Sequence, residues 1–210
     1  MPRINAPTVA EHRRLQRKAV LDAARDLLAE TGQAPSLAEV GRRAGLARTS
    51  VYEYARSRED LLAAVVADVF PDWAQRIRGA IDAAPTPGEK VWAYVVSNVA
   101  YFGGSEQTVA RALGSVVDPA VLRGPMQEFH EALQEPLRRS LEALGDPDPE
   151  TMADIVDAML LRATQPIRAR QRESTAAERE AALAPLRRVL GPYLGLAPAG
   201  PLTQDPAADG

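Results

Sequence analysis

Between Arg48 and Arg58 the chain sets Thr49, Ser50, Tyr52, Glu53, Tyr54 and Ser57 among three arginines, in the stretch GLARTSVYEYARSRE (Gly45–Glu59). Hydroxyl and guanidinium groups at this density donate hydrogen bonds to anionic oxygens and to the polar edges of bases. Elsewhere the reactive chemistry is sparse. The two histidines are His12 and His130, and no Glu-x-x-His pair, phosphate loop or nucleophile elbow occurs. Asp154 and Asp157 read as the solvated face of a helix. Cysteine is absent, which removes disulfides and thiolate metal sites. These residues point to a binding protein and not an enzyme, with no metal and no cofactor.

Such a cluster needs a support, and the helix punctuation supplies one. Thr8-x-x-Glu11 is a capping box opening a helix to about Thr31, with Val20, Ala24, Leu27 and Leu28 on one face and Gly32 as its stop. Ser36-x-x-Glu39 opens a second helix over LAEVGRRA, ending at Gly45, with Leu37, Val40 and Ala44 inward. Gly41, about 1 kcal/mol worse than Ala in a helix interior, fits a close crossing there. Ser57-x-x-Asp60 opens a further helix. The interval holds a helix of about two turns over Arg48–Ala55, too short to stand alone. Val51 and Ala55, four apart, then face the first two helices, which leaves Arg48, Thr49, Tyr52 and Glu53 pointing outward. Three helices with a tight glycine turn before the third make a helix-turn-helix.

The stretch SLAEVGRRAGLARTSVYEYARSREDLL (Ser36–Leu62) resembles the DNA-binding head of the tetracycline-repressor (TetR) family of bacterial regulators. The likeness rests on the small-residue second helix, the Ala44-Gly45-Leu46 turn, the Val51-Tyr52 pair and the Ser57-Arg58-Glu59 helix start. With the first helix it spans about residues 9–70, the motif itself lying at about 36–55. The resemblance implies a DNA-binding transcriptional regulator: a repressor on a palindromic operator in double-stranded DNA, released by a small apolar effector. Residues 71–195 would then form the effector-binding and dimerisation domain of a homodimer. The alternative is a helical adaptor or ligand-binding protein whose head does not bind DNA. Ala55 stands where the family places an aromatic, and Glu53 puts a carboxylate on a surface meant for phosphates.

Roles follow residue by residue under that resemblance. Arg48 reaches a base edge, where a bidentate contact to guanine discriminates by ~1–3 kcal/mol, or it meets a phosphate. Thr49 and Ser50 bond phosphate, with Thr49 also able to touch a thymine methyl and Ser50 able to pack within the head. Tyr52 bonds a backbone phosphate or sits half-buried. Glu53 accepts from a cytosine amino group or pairs with Arg42 or Arg56. Tyr54 belongs to the same set or folds inward in place of the missing aromatic. Arg58 and Ser36, at two helix N-termini, meet phosphates, and Arg3 precedes the head in an arm near the minor groove.

Beyond the head the helical spacing continues, and no stretch alternates with period two, so the fold class is all-α with about nine helices. Leu62, Val65, Val66, Val69, Phe70, Trp73, Ile77 and Ile81 keep their period through Pro71, which favours one kinked helix over two. Thr86-Pro87-Gly88-Glu89 starts the next, with Val91, Trp92, Val95, Val99 and Phe102 inward and Gly103-Gly104 as its end. Ser105–Val117 follows. Asp118-Pro119 marks a short turn and Gly124-Pro125 opens a long helix. Asp148-Pro149 and Thr175-x-x-Glu178 open the last two, and the Pro/Gly-rich residues 196–210 read as a disordered tail.

An effector pocket is expected from Trp73, Trp92, Met126, Phe129 and Met159 with His130 as a polar contact, although ordinary core packing accounts for the same residues. In the family the last two helices pair across a dimer. That nominates Ile155, Met159, Leu160, Leu183, Leu186, Val189, Leu190 and Tyr193, and an intramolecular core predicts the same stripes.

The charge is uneven. Residues 1–60 carry 11 basic and 8 acidic side chains while the whole chain has a net charge of −3. A basic head on an acidic body suits a nucleic-acid contact at one end. The longest apolar runs, Leu61–Ala67 and Val91–Val96, fall far short of the ~20 residues that span a bilayer, and no apolar leader region is seen. The expectation is a cytoplasmic protein with no membrane contact.

Overall fold

The computed structural model describes residues 9–170 and 172–197, the side chains of Val9 and Arg48 excepted. Thr8, Arg3 and the tail from residue 198 onward lie outside the described residues. Those described form nine α-helices and no strand: α1 (Val9–Thr31), α2 (Leu37–Ala44), α3 (Arg48–Val51), α4 (Arg58–Ala83), α5 (Pro87–Gly103), α6 (Ser105–Val116), α7 (Pro119–Leu144), α8 (Pro149–Arg168) and α9 (Ala176–Tyr193).

Local chemistry explains most of the boundaries. Ser36 caps α2 in a reciprocal box, its hydroxyl accepting from the Glu39 N–H while the Glu39 carboxylate accepts from the Ser36 N–H at 2.7 Å. Thr86 and Glu89 do the same for α5, and Thr175 and Glu178 for α9. Asp148 caps α8 by accepting from the Thr151 N–H at 3.2 Å.

Two boundaries differ from the sequence expectation. The helix expected over Arg48–Ala55 is α-helical only to Val51. Beyond it the Glu53 and Tyr54 N–H groups bond three residues back, to Ser50 and Val51, so the segment tightens into a turn. The long helix expected from Gly124-Pro125 starts instead at Pro119. Asp118 accepts from the Ala120 N–H at 2.7 Å, making Asp-Pro a cap followed by proline in the first turn. Pro125 lies inside that helix, as Pro71 lies inside the single continuous α4.

The chain divides into two compact units. The first takes residues up to Gln75 together with Gly104–Ala132; the second takes Arg76–Gly103 and everything from Leu133. In the first, α1 packs on α2 and α6, and α2 on α3. Val20, Ala24, Leu28, Val40, Val51, Leu61 and Val65 are its fully buried centre. Arg43 of α2 ties to Glu30 of α1 through both guanidinium nitrogens, at 2.8 and 2.6 Å. Arg25 of α1 reaches Asp72 of α4 at 3.9 Å.

In the second unit α5, α8 and α9 pack on one another in all three pairings. Helix α9 runs antiparallel to α5 at backbone distance. A Cβ on Gly88 would lie 1.9 Å from the Leu194 carbonyl oxygen, and one on Gly103 would lie 2.1 Å from the Ser174 hydroxyl. Ser174 closes the far end of α5, donating to the Gly103 carbonyl from both its N–H (2.7 Å) and its hydroxyl (2.9 Å).

Gly88→Ala forces a methyl onto a backbone carbonyl and should destabilise the chain by about 1–3 kcal/mol, read as a fall in Tm of several degrees. Gly79→Ala, in a helix interior with nothing within 4 Å of the new carbon, should instead stabilise by up to about 1 kcal/mol. Thermal unfolding followed by circular dichroism compares the two.

Candidate nucleic-acid interface

The exposed cluster of Gly45–Glu59 is positioned from beneath. Helix α2 ends in a Schellman turn: Gly45, at φ +68°, sends its N–H to the Arg42 carbonyl, and Leu46 sends its N–H to the Gly41 carbonyl. A left-handed residue is required here, and glycine takes that conformation without penalty. The reversal brings α3 back against α2 after only Leu46 and Ala47. Val51 and Ala55 are then buried at 0% and 1% exposure. Thr49, Tyr52 and Glu53 occupy the opposite, exposed face.

Tyr52 remains 42% exposed. Ser50 is half-buried at the edge of α3. Tyr54 turns inward, and its hydroxyl donates to the Gln16 side chain of α1 at 2.9 Å, bracing the turn where Ala55 offers only a methyl group. The backbone of Arg48 opens α3, while its side chain lies outside the described residues.

The flanks are helix starts. Arg58 is exposed at the first position of α4. The Ser36 hydroxyl already accepts from the Glu39 N–H and donates to the Glu39 carboxylate at 2.6 Å. Its proton is therefore committed to the cap, and a phosphate at this helix start would meet backbone N–H groups of the first turn instead. The Glu39 carboxyl is held below its ordinary range, first by the Ser36 hydroxyl, then by the Ser36 N–H, with further help from the nearby charges of Arg42 and Arg58. Arg42 and Arg58 thus lie within electrostatic reach of one carboxylate between them. The arrangement suits positioning on a charged backbone and reading of an adjacent groove; among the described residues no group of three potential metal ligands forms.

Residues 20–65 match the family model of the bacterial regulatory proteins, tetR family. This segment is a TetR-type DNA-binding head. Solved structures with the same all-α fold include a TetR/AcrR-family transcriptional regulator from Thermobifida fusca YX-ER1, with TM-score 0.62 and 22% identity over 85% of this chain and 98% of that one. Another is the regulator FadR from Bacillus subtilis in complex with stearoyl-CoA, with TM-score 0.60 and 17% identity over 80% of this chain and 96% of that one. A third is reduced Escherichia coli NemR, with TM-score 0.62 and 19% identity over 88% and 100%. No curated protein sequence matches the chain. Among the described residues no helix of this TetR-type fold is long and apolar enough to cross a membrane.

The residues expected to line an effector pocket are divided between the two units. Trp73 is buried in an aromatic group of the first unit, its ring 5.4 Å from Phe70 and 6.4 Å from Phe129. Met126 and His130 are exposed on α7. Trp92, in the second unit, is half-buried under the Arg187 guanidinium, 5.1 Å from its ring centre. Met159 is half-buried on α8.

The dimer stripe also separates. Leu160, Leu186 and Leu190 are core residues of the second unit, 2–4% exposed, which corrects their assignment to a subunit surface. Each lies on the side of α8 or α9 that packs within the chain. Leu183 is half-buried. Ile155, Val189 and Tyr193 are exposed, together with Leu161, which the sequence reading passed over.

Asp157 is a further correction. It is not on a solvated face: one carboxylate oxygen accepts from the buried Tyr94 hydroxyl at 2.5 Å and the other from the buried Gln134 amide. Asn98, also buried, donates to the Tyr94 carbonyl at 2.9 Å. The Tyr94 hydroxyl is pushed far above the ordinary tyrosine range by burial first and the Asp157 charge second. The signal was present in α5, where Tyr94 and Asn98 fall in the stripe of Val91, Val95 and Val99, and polar groups in such a stripe need partners.

Because the Glu39 carboxyl is depressed in the folded chain, its contribution to stability is present above the unfolded carboxylate range of about 4.3 and is lost as pH falls through its lower folded value. Urea unfolding of wild type and Glu39→Ala should show a wild-type advantage at pH 7 that closes below about pH 4. A pH-independent difference would assign the cap to the Ser36 hydroxyl alone.

Proposed function

We infer that the chain represses transcription as a cytoplasmic homodimer on a palindromic operator, with no catalytic activity, and leaves the DNA when a small apolar effector binds. The domain division this implies is a DNA-binding head at 9–70 and an effector and dimer body at 71–195. The observation that carries the reading is the short α3 with the turn that follows it, where Thr49, Tyr52 and Glu53 face outward over the buried Val51 and Ala55. Arg48, Thr49, Ser50 and Glu53 are the proposed groove residues. Tyr52, Arg58 and the first turn of α2 behind Ser36 are the proposed phosphate contacts, and Tyr54 acts through its bond to Gln16.

A helix this short buries too little to select one sequence alone. Two copies about 34 Å apart, in successive major grooves, remove that limit and give the operator its symmetry. The exposed Ile155, Leu161, Val189 and Tyr193 on α8 and α9 support a subunit surface there. The neighbouring fold bound to stearoyl-CoA supports a small-molecule ligand. In this chain the aromatic group of Phe70, Trp73 and Phe129, with the exposed Met126 one turn away, is the proposed apolar contact.

The deciding experiment titrates the chain with a duplex carrying the palindrome upstream of its own or the adjacent gene, against scrambled DNA at two salt concentrations. Native-sequence preference is expected, with log K falling linearly in log salt by about 0.9 per phosphate neutralised. No binding to either duplex at low salt would overturn the DNA reading in favour of a helical adaptor. Arg48→Ala should relax one operator position if the guanidinium reads a base, and weaken all sequences equally if it meets phosphate.

The subunit surface has its own test in sedimentation velocity. Val189→Glu combined with Ile155→Glu should yield a folded monomer, whereas Leu186→Ala should keep the dimer and lower stability by about 2–5 kcal/mol. A dimer that survives the double glutamate variant places the interface elsewhere.

A further inference from the structure

The second unit holds a cleft of about 220 Å³ away from every residue assigned so far. The end of α4 (Ile81, Asp82), the start of α5 (Pro87, Lys90) and the latter part of α7 (Pro136, Arg139, Ser140, Ala143) line it. Its base is apolar, with Ile81 2% exposed and Pro136 buried. Ser140 is buried too, and its hydroxyl donates to the Pro136 carbonyl at 2.7 Å, which leaves the oxygen as an acceptor only.

Two cations flank that base. Lys90 is half-buried, and among the described residues its side chain makes no ion pair or hydrogen bond. A partly desolvated ammonium without a counter-ion favours an arriving anion. Lys90 also lies in the first turn of α5, where the helix dipole has its positive end. Arg139 pairs with Glu135, with Nε at 3.4 Å, and among the described residues its two terminal nitrogens make no hydrogen bond, which leaves them for the paired hydrogen bonds that a carboxylate accepts.

We propose that this cleft binds a small organic carboxylate, its charged end between Arg139 and Lys90 and its apolar body on Ile81, Pro87, Pro136 and Ala143. The volume lies below the ~300–1,000 Å³ of drug-sized sites, which selects a compact ligand. Asp82, exposed at the rim and likewise without a side-chain partner among the described residues, opposes the anion and sets a limit on affinity. The inference is independent of DNA binding and of the aromatic group assigned to the effector.

Benzoate, benzyl alcohol and benzylamine share one ring and differ in charge, and they serve as probes in amide chemical-shift titrations of the full chain. Benzoate should give saturable shifts confined to residues 81–90 and 136–143, stronger than those from the alcohol, with none from the amine. Lys90→Gln and Arg139→Gln should each weaken benzoate by about tenfold, with Lys90→Arg retaining binding. Asp82→Asn should tighten it, a gain that loss of folding cannot imitate. Equal responses to the three probes, or a benzoate affinity unmoved by Lys90→Gln and Arg139→Gln, would overturn the proposal.

Discussion

Burial of two small side chains, Val51 and Ala55, governs everything the head presents. Four residues of helix cannot repay the cost of their own nucleation, so α3 exists because those side chains have a place beneath it. That place is made by α1 and α2, which pack on each other and are tied by the Arg43–Glu30 pair. Ala55 fills its part of that place with only a methyl group, and the Tyr54–Gln16 hydrogen bond adds a second hold on the turn. The outward set of Thr49, Tyr52 and Glu53 is thus oriented by packing and not by its own helical tendency. Their chemistry and their geometry have separate origins, and either can change without the other.

The body uses the opposite device. In α5 the apolar stripe is interrupted by Tyr94, whose hydroxyl donates to Asp157 of α8, and by Asn98, whose amide donates to the Tyr94 carbonyl; Gln134 of α7 donates to the other Asp157 oxygen. Hydrophobic contacts tolerate a small slide of one helix along another; hydrogen bonds of fixed length do not. The network therefore specifies how these helices are matched more than it adds to stability.

Legibility in the sequence follows the range of the interaction. Caps act over three or four residues, so Ser36, Thr86, Asp148 and Thr175 could be read directly, and the helices they open stand where expected. The start of α7 was misread because two proline signals compete there, and Asp118-Pro119 has the side-chain acceptor that Gly124-Pro125 lacks. The length of α3 was overestimated because the pull of Val51 and Ala55 toward the core tightens the segment after Val51. The Asp157 partners, 63 and 23 residues away, leave no local mark. The α8 and α9 stripes blended two populations, since periodicity reports an apolar face and not what covers it. Leu186 and Val189, three apart, fall on opposite sides of that distinction.

The glycines near the two ends of α5 have a consequence for how this chain can change over time. With Gly88 against Leu194 and Gly103 against Ser174, the length of α9 is fixed between two anchors. Substitution at Val189 or Tyr193 alters the character of the outer face and leaves its position untouched. Insertion of a single residue between the anchors would rotate the remainder of α9 by about 100°, carrying its buried stripe out of register with the core. The second unit is therefore free to drift in side-chain identity on that face but not in length, so a new partner would be reached through substitutions, with insertions excluded from the path.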